Sequence, residues 1–426
     1  MKTLGFGLAL CLALGAAVGA QETAIPARLT LDEALRIADE RNPSLVSARA
    51  VVAMAEADVA TARIRPNPAF SFQSEGYSLF GSSNPPFLNA QELYLRADQE
   101  IELGGRRGLR TESAEMGRTG AQAALEDERR RLHLDVRRAY FQVVLARADQ
   151  EAARATLAEI DKVIGINRVR LEQGEISGGE LRRIQVERLR FMDDALSADL
   201  AARNARAALL ALLKAPRLDI EVEPTEALQV PGAMAAAAAP SQEAWAKMAG
   251  DVLASALGRR PDLAVARSDE ARAETETRLQ RALRTPNLTI GGGYRRDFGQ
   301  NGVLFSVTMP LPLFDTNAGR IARAEAERQL AASRVAATQS AIALDVQQAM
   351  NAVDVNRARV AYIEKDYLPN AREVRDIVQA SYGEGAADLL DFLDAQRAYR
   401  ETLRTYNRAL FDYRVSMFQL EAATGR

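Results

Sequence analysis

The sequence predicts an α+β membrane protein: mostly long α-helical coiled-coil hairpins, with four β-strands per chain. Three observations carry that prediction. The chain repeats its own plan, so that two halves share one order of motifs. Each half holds a pair of segments with strand-like alternation and the length of a membrane strand. Each pair is followed by a very long stretch of helical spacing.

Composition agrees. Of 426 residues, 26% are charged and 6% aromatic, which suits long Ala/Leu/Arg/Glu helices. A net charge of −2 gives no bulk electrostatic reason to bind nucleic acid. Lys2, the apolar run Leu4–Leu14 and Val18-Gly19-Ala20 before Gln21 read as a secretory signal over residues 1–20. The run is short for a membrane anchor, and Cys11, behind Leu10 inside that run, does not suit lipid attachment. Cys11 is the only cysteine, so the mature chain is expected to have no disulfide or thiolate site. The sole histidine, His133, sits in a charged helical run and reads as a solvated position. No metal centre, cofactor or enzyme is expected, because no nucleophile–base arrangement or phosphate-loop spacing stands out.

The repeat is read motif by motif. "RNPSLVSAR" (Arg41–Arg49) returns as "RRPDLAVAR" (Arg259–Arg267), and "RPNPAFSF" (Arg65–Phe72) as "RTPNLTIG" (Arg284–Gly291). "QEIELGGRR" (Gln99–Arg107) returns as "MPLPLFDTNAGR" (Met309–Arg320), and "GEISGGELRRIQ" (Gly174–Gln185) as "GEGAADLLDFLDAQ" (Gly383–Gln396). The repeats therefore occupy residues 21–214 and 241–426. Residues 215–240, with four prolines and an alanine run, form a linker or irregular side element.

In order, Thr30 and Glu33 mark a capping box opening a helix that runs to Arg65, where Pro66 and Pro68 end it. Strands follow at 69–80 and 92–103, and in the second repeat at 288–298 and 303–313. In the second strand Leu93, Leu95, Ala97, Ile101 and Leu103 share one face, opposite Tyr94, Arg96, Asp98, Glu100 and Glu102. In the fourth, Val303, Phe305, Val307, Met309, Leu311 and Leu313 share a face, with Ser306 and Thr308 opposite. Gly76 and Gly291–Gly293 are expected at bulges or bends.

Each pair leads into a coiled-coil seam. Its apolar positions are Leu132, Val136, Ala139, Val143, Ala146, Ala153, Leu157, Ile160 and Ile164 in the first repeat. In the second they are Val346, Ala349, Val353, Val360, Ile363, Tyr367, Val374 and Ile377. About sixty residues of helix span roughly 90 Å. Glycines at 174, 178, 179, 383 and 385 turn each run into a hairpin.

One apolar and one polar face suit lipid outside and water inside. A half-buried strand in a soluble sheet alternates the same way, but these helices offer no compact covering layer. Open edges are not tolerated in hydrocarbon, and known closed barrels start at about eight strands. Several chains must therefore share one barrel; three would make it twelve-stranded. Gly104 and Gly105 then give the backbone freedom to pass from tilted strand to helix. Arg106 and Arg107 fall at headgroup level, and Pro310 and Pro312 mark the same boundary in the second repeat.

On these marks the chain resembles the TolC-type outer membrane efflux proteins. The resemblance spans the whole mature chain: the doubled plan, "RPNP", and the run from Tyr382-Gly-Glu-Gly to Leu389-Leu-Asp-Phe-Leu-Asp-Ala-Gln396. "QEIELGGRR" resembles the strand-to-helix junction of the heavy-metal (CzcC-like) branch. The resemblance implies a homotrimer in outer membrane lipid of a Gram-negative bacterium. Its twelve-stranded barrel would be continued by a periplasmic α-helical barrel. It also implies a periplasmic adaptor (membrane fusion) protein and an inner membrane resistance-nodulation-division pump, with heavy-metal cations as cargo. Drugs, organic compounds or type I secreted polypeptides are the alternative cargo. A soluble periplasmic coiled-coil scaffold is the alternative of another class.

Asp388, Asp391 and Asp394 follow at three-residue spacing, which also suits a solvated acidic helix face. The resemblance places Asp391 and Asp394 at the pore constriction as stacked acidic rings. It ties the closed entrance by a tyrosine, an acid and an arginine. Tyr382 and Glu180 match the first two; Ala387 stands at the arginine's place. Arg170, Gly174, Ile176, Ser177, Gly383 and Gly385 resemble the adaptor-facing tips, where turn formation alone accounts for the glycines.

Overall fold

The computed structural model of the chain describes residues 25–76, 80, 92–229, 242–297 and 299–425. The expected signal at 1–20, the alanine-rich part of 215–240 and the far ends of the first and third strands lie outside the described residues. Each repeat opens with two helices, α1 (Leu31–Arg41) and α2 (Pro43–Ala62), then α5 (Gln242–Arg259) and α6 (Pro261–Ala282). The single opening helix expected to Arg65 is thus divided. Pro43 has no N–H and holds Asn42 extended at φ −67°, ψ 126°. Asn42 serves both ends: its N–H donates to Ala38 O at 2.9 Å, and its Oδ1 accepts Ser44 N–H at 3.0 Å. Thr30 does cap α1, accepting the Glu33 N–H.

The strands form one antiparallel sheet in the order β2-β3-β5-β6. They are β2 (Ala69–Glu75), β3 (Glu92–Ile101), β5 (Leu288–Asp297) and β6 (Gln300–Thr308). The fourth strand therefore starts earlier than expected and stops before Pro310, because a proline cannot donate to a ladder. Gly76, at φ +98°, ends β2. The glycines at 291–293 sit in no bulge: pairing runs one to one through them on both sides. Register aligns Phe72, Leu95, Tyr294 and Val303 in one cross-strand row, and Phe70, Ala97, Gly292 and Phe305 in another. On that face Val303, Phe305 and Val307 are 70–86% exposed. The opposite face carries Arg96, Asp98, Glu100 and Ser306. Among the described residues, no further strand pairs with the outer edges of β2 and β6.

The helices are α3 (Arg106–Glu172), α4 (Gly178–Leu212), α7 (Ala318–Tyr362), a π-turn at Ile363–Tyr367, α8 (Leu368–Gly383) and α9 (Leu389–Ala423). In α3 the expected seam is inside: Leu132, Val136, Val143, Ala146, Ala153, Ile160 and Ile164 are buried. The second seam holds only to Ile363. Tyr367, Val374 and Ile377 are 53–57% exposed, and Leu368 and Val378 pack inward instead. The π-turn explains this shift. One extra residue turns everything after it by about 100°, so the buried face moves on by one position.

The main core lies where α1, α3, α4, α7 and α9 meet β1 (Arg28–Leu29), which pairs in parallel with β4 (Glu223–Pro224). Tyr140 organises it from full burial. Its hydroxyl donates to Leu29 O at 2.8 Å and accepts the Thr225 N–H at 3.1 Å. Residues 215–229 are thus a packed side element. His133 lies 2.9 Å from Asp39, holding α3 to α1 rather than facing solvent alone.

Candidate functional site

The candidate residues fall in two places: the hairpin tips and the strand-to-helix junctions. At the first tip Gly174 turns the chain at φ +79°. Ser177 caps α4. Its Oγ accepts the Glu180 N–H, and the Glu180 carboxylate accepts the Ser177 N–H, both at 3.2 Å. Within one chain Glu180 is therefore engaged locally and does not meet Tyr382. Ile176 is half-buried beside it. At the second tip Gly385 turns at φ +78°, and Asp388 caps α9 by accepting the Asp391 N–H at 2.8 Å.

Tyr382 is the meeting point of the two hairpins. Its ring stacks on Phe392 at 5.1 Å, over a cluster of Ile160, Val163, Ile164, Ile184, Phe191 and Leu393. Its hydroxyl lies 2.7 and 3.0 Å from the two amide atoms of buried Asn167 on α3. Arg170 sits 5.7 Å over the same ring and donates to the carbonyls of Tyr382 (3.2 Å) and Gly383. An arginine does hold the tyrosine, then, but it comes from α3. Sequence reasoning assigned Arg170 to the tip and missed Asn167. The available signal was its position three residues after Ile164 on the buried seam, where an amide needs a polar partner.

Asp391 and Asp394 are exposed, on the side of α9 away from buried Phe392, Leu393, Ala395 and Gln396. Asp394 pairs with Arg397 at 3.1 Å, and Arg397 also donates to Glu187 on α4. Arg400 bonds Asp194 one turn on. Further along, Asp149 accepts from Asn407 Nδ2 at 3.1 Å. Burial pushes its carboxyl above the usual range, against the pull of that bond and of Arg404 and Arg408. Among the described residues no three His, Cys, Asp or Glu side chains converge as metal ligands.

At the first junction Gly104 and Gly105 both take φ +71°, and a side chain on Gly104 would press within 3.3 Å of Ala282 O. Arg106 is buried, donating to Leu283 O at 3.4 Å and to Thr285 O, so it closes the end of α6. Arg107 stays exposed. At the second junction Pro310 and Pro312 follow the last strand residue. Asn317 takes the Gly105 role at φ +59°, its Nδ2 donating to Gln280 O.

An amphipathic four-stranded sheet carried on two very long helical hairpins is the subunit architecture of outer membrane efflux channels. The chain belongs to the outer membrane efflux protein family, whose model matches residues 34–214 and 252–426. It is similar to the cobalt-zinc-cadmium resistance protein CzcC of Cupriavidus metallidurans, with 26% identity over 373 residues, 87% of this chain and 83% of that one. The pyoverdine export outer membrane protein OpmQ of Pseudomonas putida is 26% identical over 399 residues, 86% and 80% of the two chains. Its fold matches the open-state MtrE outer membrane channel of Neisseria gonorrhoeae at TM-score 0.75, with 20% identity and 93% and 88% coverage. Its function is accordingly that of an outer membrane efflux duct.

Proposed function

We propose that three chains share one twelve-stranded barrel, and that this trimer is a passive exit path for heavy-metal cations. The observation that supports assembly is the sheet itself: it has an apolar face and two open edges, which hydrocarbon does not tolerate. Three four-stranded sheets would close by pairing β6 of one copy with β2 of the next. Along two further edges the hairpins expose large apolar side chains: Met54, Leu189 and Leu196 on one side and Leu344 and Val355 on the other are 57–65% exposed. These are the surfaces a neighbouring copy would cover. Residues 1–20 then act as the export signal, and the 21–214 and 241–426 repeats wrap side by side around a helical tunnel. The tips around Gly174, Ile176, Ser177, Gly383 and Gly385 face a periplasmic adaptor protein, which links the duct to an inner membrane resistance-nodulation-division pump.

Tyr382, Asn167 and Arg170 hold the tips together, with Glu180 free to exchange its cap for a neighbouring copy. Asp391 and Asp394 share a face one helical turn apart, so threefold symmetry stacks two acidic layers at the mouth. Such rings attract multivalent cations, more strongly at low salt. The likeness to CzcC supports metal cargo. The equal identity to OpmQ supports a second reading, the same duct serving organic compounds.

Mass measurement in mild detergent is expected to give three chains; a monomer that inserts into bilayers overturns the assembly. Across a salt gradient, Asp391→Ala/Asp394→Ala is expected to lose cation selectivity and trivalent-cation block while staying trimeric. Unchanged reversal potential would make these aspartates a solvated face. Metal sensitivity of a deletion strain, tested beside antibiotics, separates the two cargoes.

A further inference from the structure

The triple glycine of β5 has no bulge to explain it, and the side chains around it supply another account. Asp98, Gly291 and Ser306 form one cross-strand row, and Arg96 and Gly293 belong to the next. Arg96 Nε donates to Asp98 Oδ1 at 2.7 Å, beside it on β3. Its other end donates to Ser306 Oγ, also at 2.7 Å, on β6. Arg96 therefore crosses the whole width of β5, two strand spacings or about 9.5 Å, lying flat on the sheet. It crosses where β5 has no side chain. A Cβ at Gly291 would overlap Asp98 Oδ1 and come within 2.5 Å of Ser306 Oγ and 3.1 Å of Arg96 Nε. All three atoms are side-chain atoms, which can swing away. A Cβ at Gly293 would instead overlap Leu95 O and meet Arg96 Cα at 2.9 Å, both backbone. The two glycines thus do different things: Gly293 permits the strands to pair, and Gly291 leaves a recess.

We propose that Gly291 sets the bore of the duct: its recess lets Arg96, Asp98 and Ser306 fold into the wall of the polar face as a neutral, bonded group. This rests on the reading of that face as the barrel lumen. A side chain at position 291 releases Arg96 and Asp98 from their bonds. The arginine, longer and no longer held down, then stands into the passage. Three copies would place three such cations at one level, narrowing the duct and opposing cations there.

The test is single-channel conductance and reversal potential in planar bilayers. The background is Arg170→Ala/Tyr382→Ala, loosened at the tips so that the barrel contributes to the resistance. Adding Gly291→Ala is expected to lower conductance and move the reversal potential toward anions. Adding Arg96→Ala to that variant is expected to restore conductance and to move the reversal potential back toward cations, with Asp98 left uncompensated. Gly293→Ala is expected to fail in trimer assembly, which detergent gels read directly. Unchanged conductance and selectivity in Gly291→Ala, or a deficit that Arg96→Ala does not repair, overturns the inference and leaves the duct standing. Loss of assembly in Gly291→Ala makes the glycine merely structural and also overturns it. If the unmutated chain forms no channel, the duct reading falls first and takes the inference with it.

Discussion

The two hairpins grow from one sequence plan but are held differently. α3 runs unbroken for 67 residues with its seam buried from Leu132 to Asn167. Its counterpart breaks at the π-turn, and α8 beyond it buries no residue fully. The far end of α8 stacks through Tyr382 on Phe392 of its own hairpin, and it is fixed to the first hairpin by the Asn167 amide and the Arg170 guanidinium. The difference shows that a repeated pattern sets architecture without setting local stability. Stability follows contacts, so the second hairpin is the part that opens at low cost.

The largest effect is expected at Phe392. Replacing it with Ala removes the platform under Tyr382 and leaves a cavity, at a cost of about 3–5 kcal/mol. Amide exchange over 368–383 should become fast while 106–145 stays protected. Equal loss in both hairpins would break the contrast. Next, Tyr382→Phe strands the Asn167 amide and is expected to cost about 1–3 kcal/mol. It should raise channel open probability, and Arg170→Ala should act in the same direction. Neither change should alter exchange near Tyr140.

Asp149 sharpens the comparison from the other side, because it joins α3 to α9. Its carboxyl is raised by burial, so the folded chain binds the proton more tightly than the unfolded chain. That contribution is present at low pH and lost as pH rises through the raised value. Asp149→Asn should therefore raise Tm at neutral pH, with the gain shrinking in acid. A gain that grows in acid would reverse the assignment. The smallest effect is expected at Pro369, which follows the π-turn and cannot donate a helix N–H. Pro369→Ala should slow exchange in α8 slightly, by less than about 1 kcal/mol, and leave α3 untouched.

Much of this was legible residue by residue. Pro66 and Pro68 placed the end of α2, Gly104 and Gly105 the junction, and the glycines at 174 and 385 the turns of the two hairpins. Alternation also identified Leu95 and Val307 as one face and Arg96 and Ser306 as the other. Expectation failed where one local feature could be satisfied in two ways. Gly291 could mean a bulge or a vacated space. Pro43 could begin a helix or sit inside one, and Asn42, which serves both ends, decided for the break.

The sequence by itself determined the doubled plan, the two-faced strands, the unbroken first seam and the turn positions. All of these depend on period and on backbone preference within a few residues. The tertiary structure alone decided that Arg170 and Asn167 are the partners of Tyr382, over 200 residues away. It also decided that Arg106 is buried on α6, and that the second seam moves from Val374 and Ile377 to Val378. The physical reason is rotation about the helix axis. A single inserted residue turns a face by about 100°, and only packing against another helix fixes which side chains then point inward.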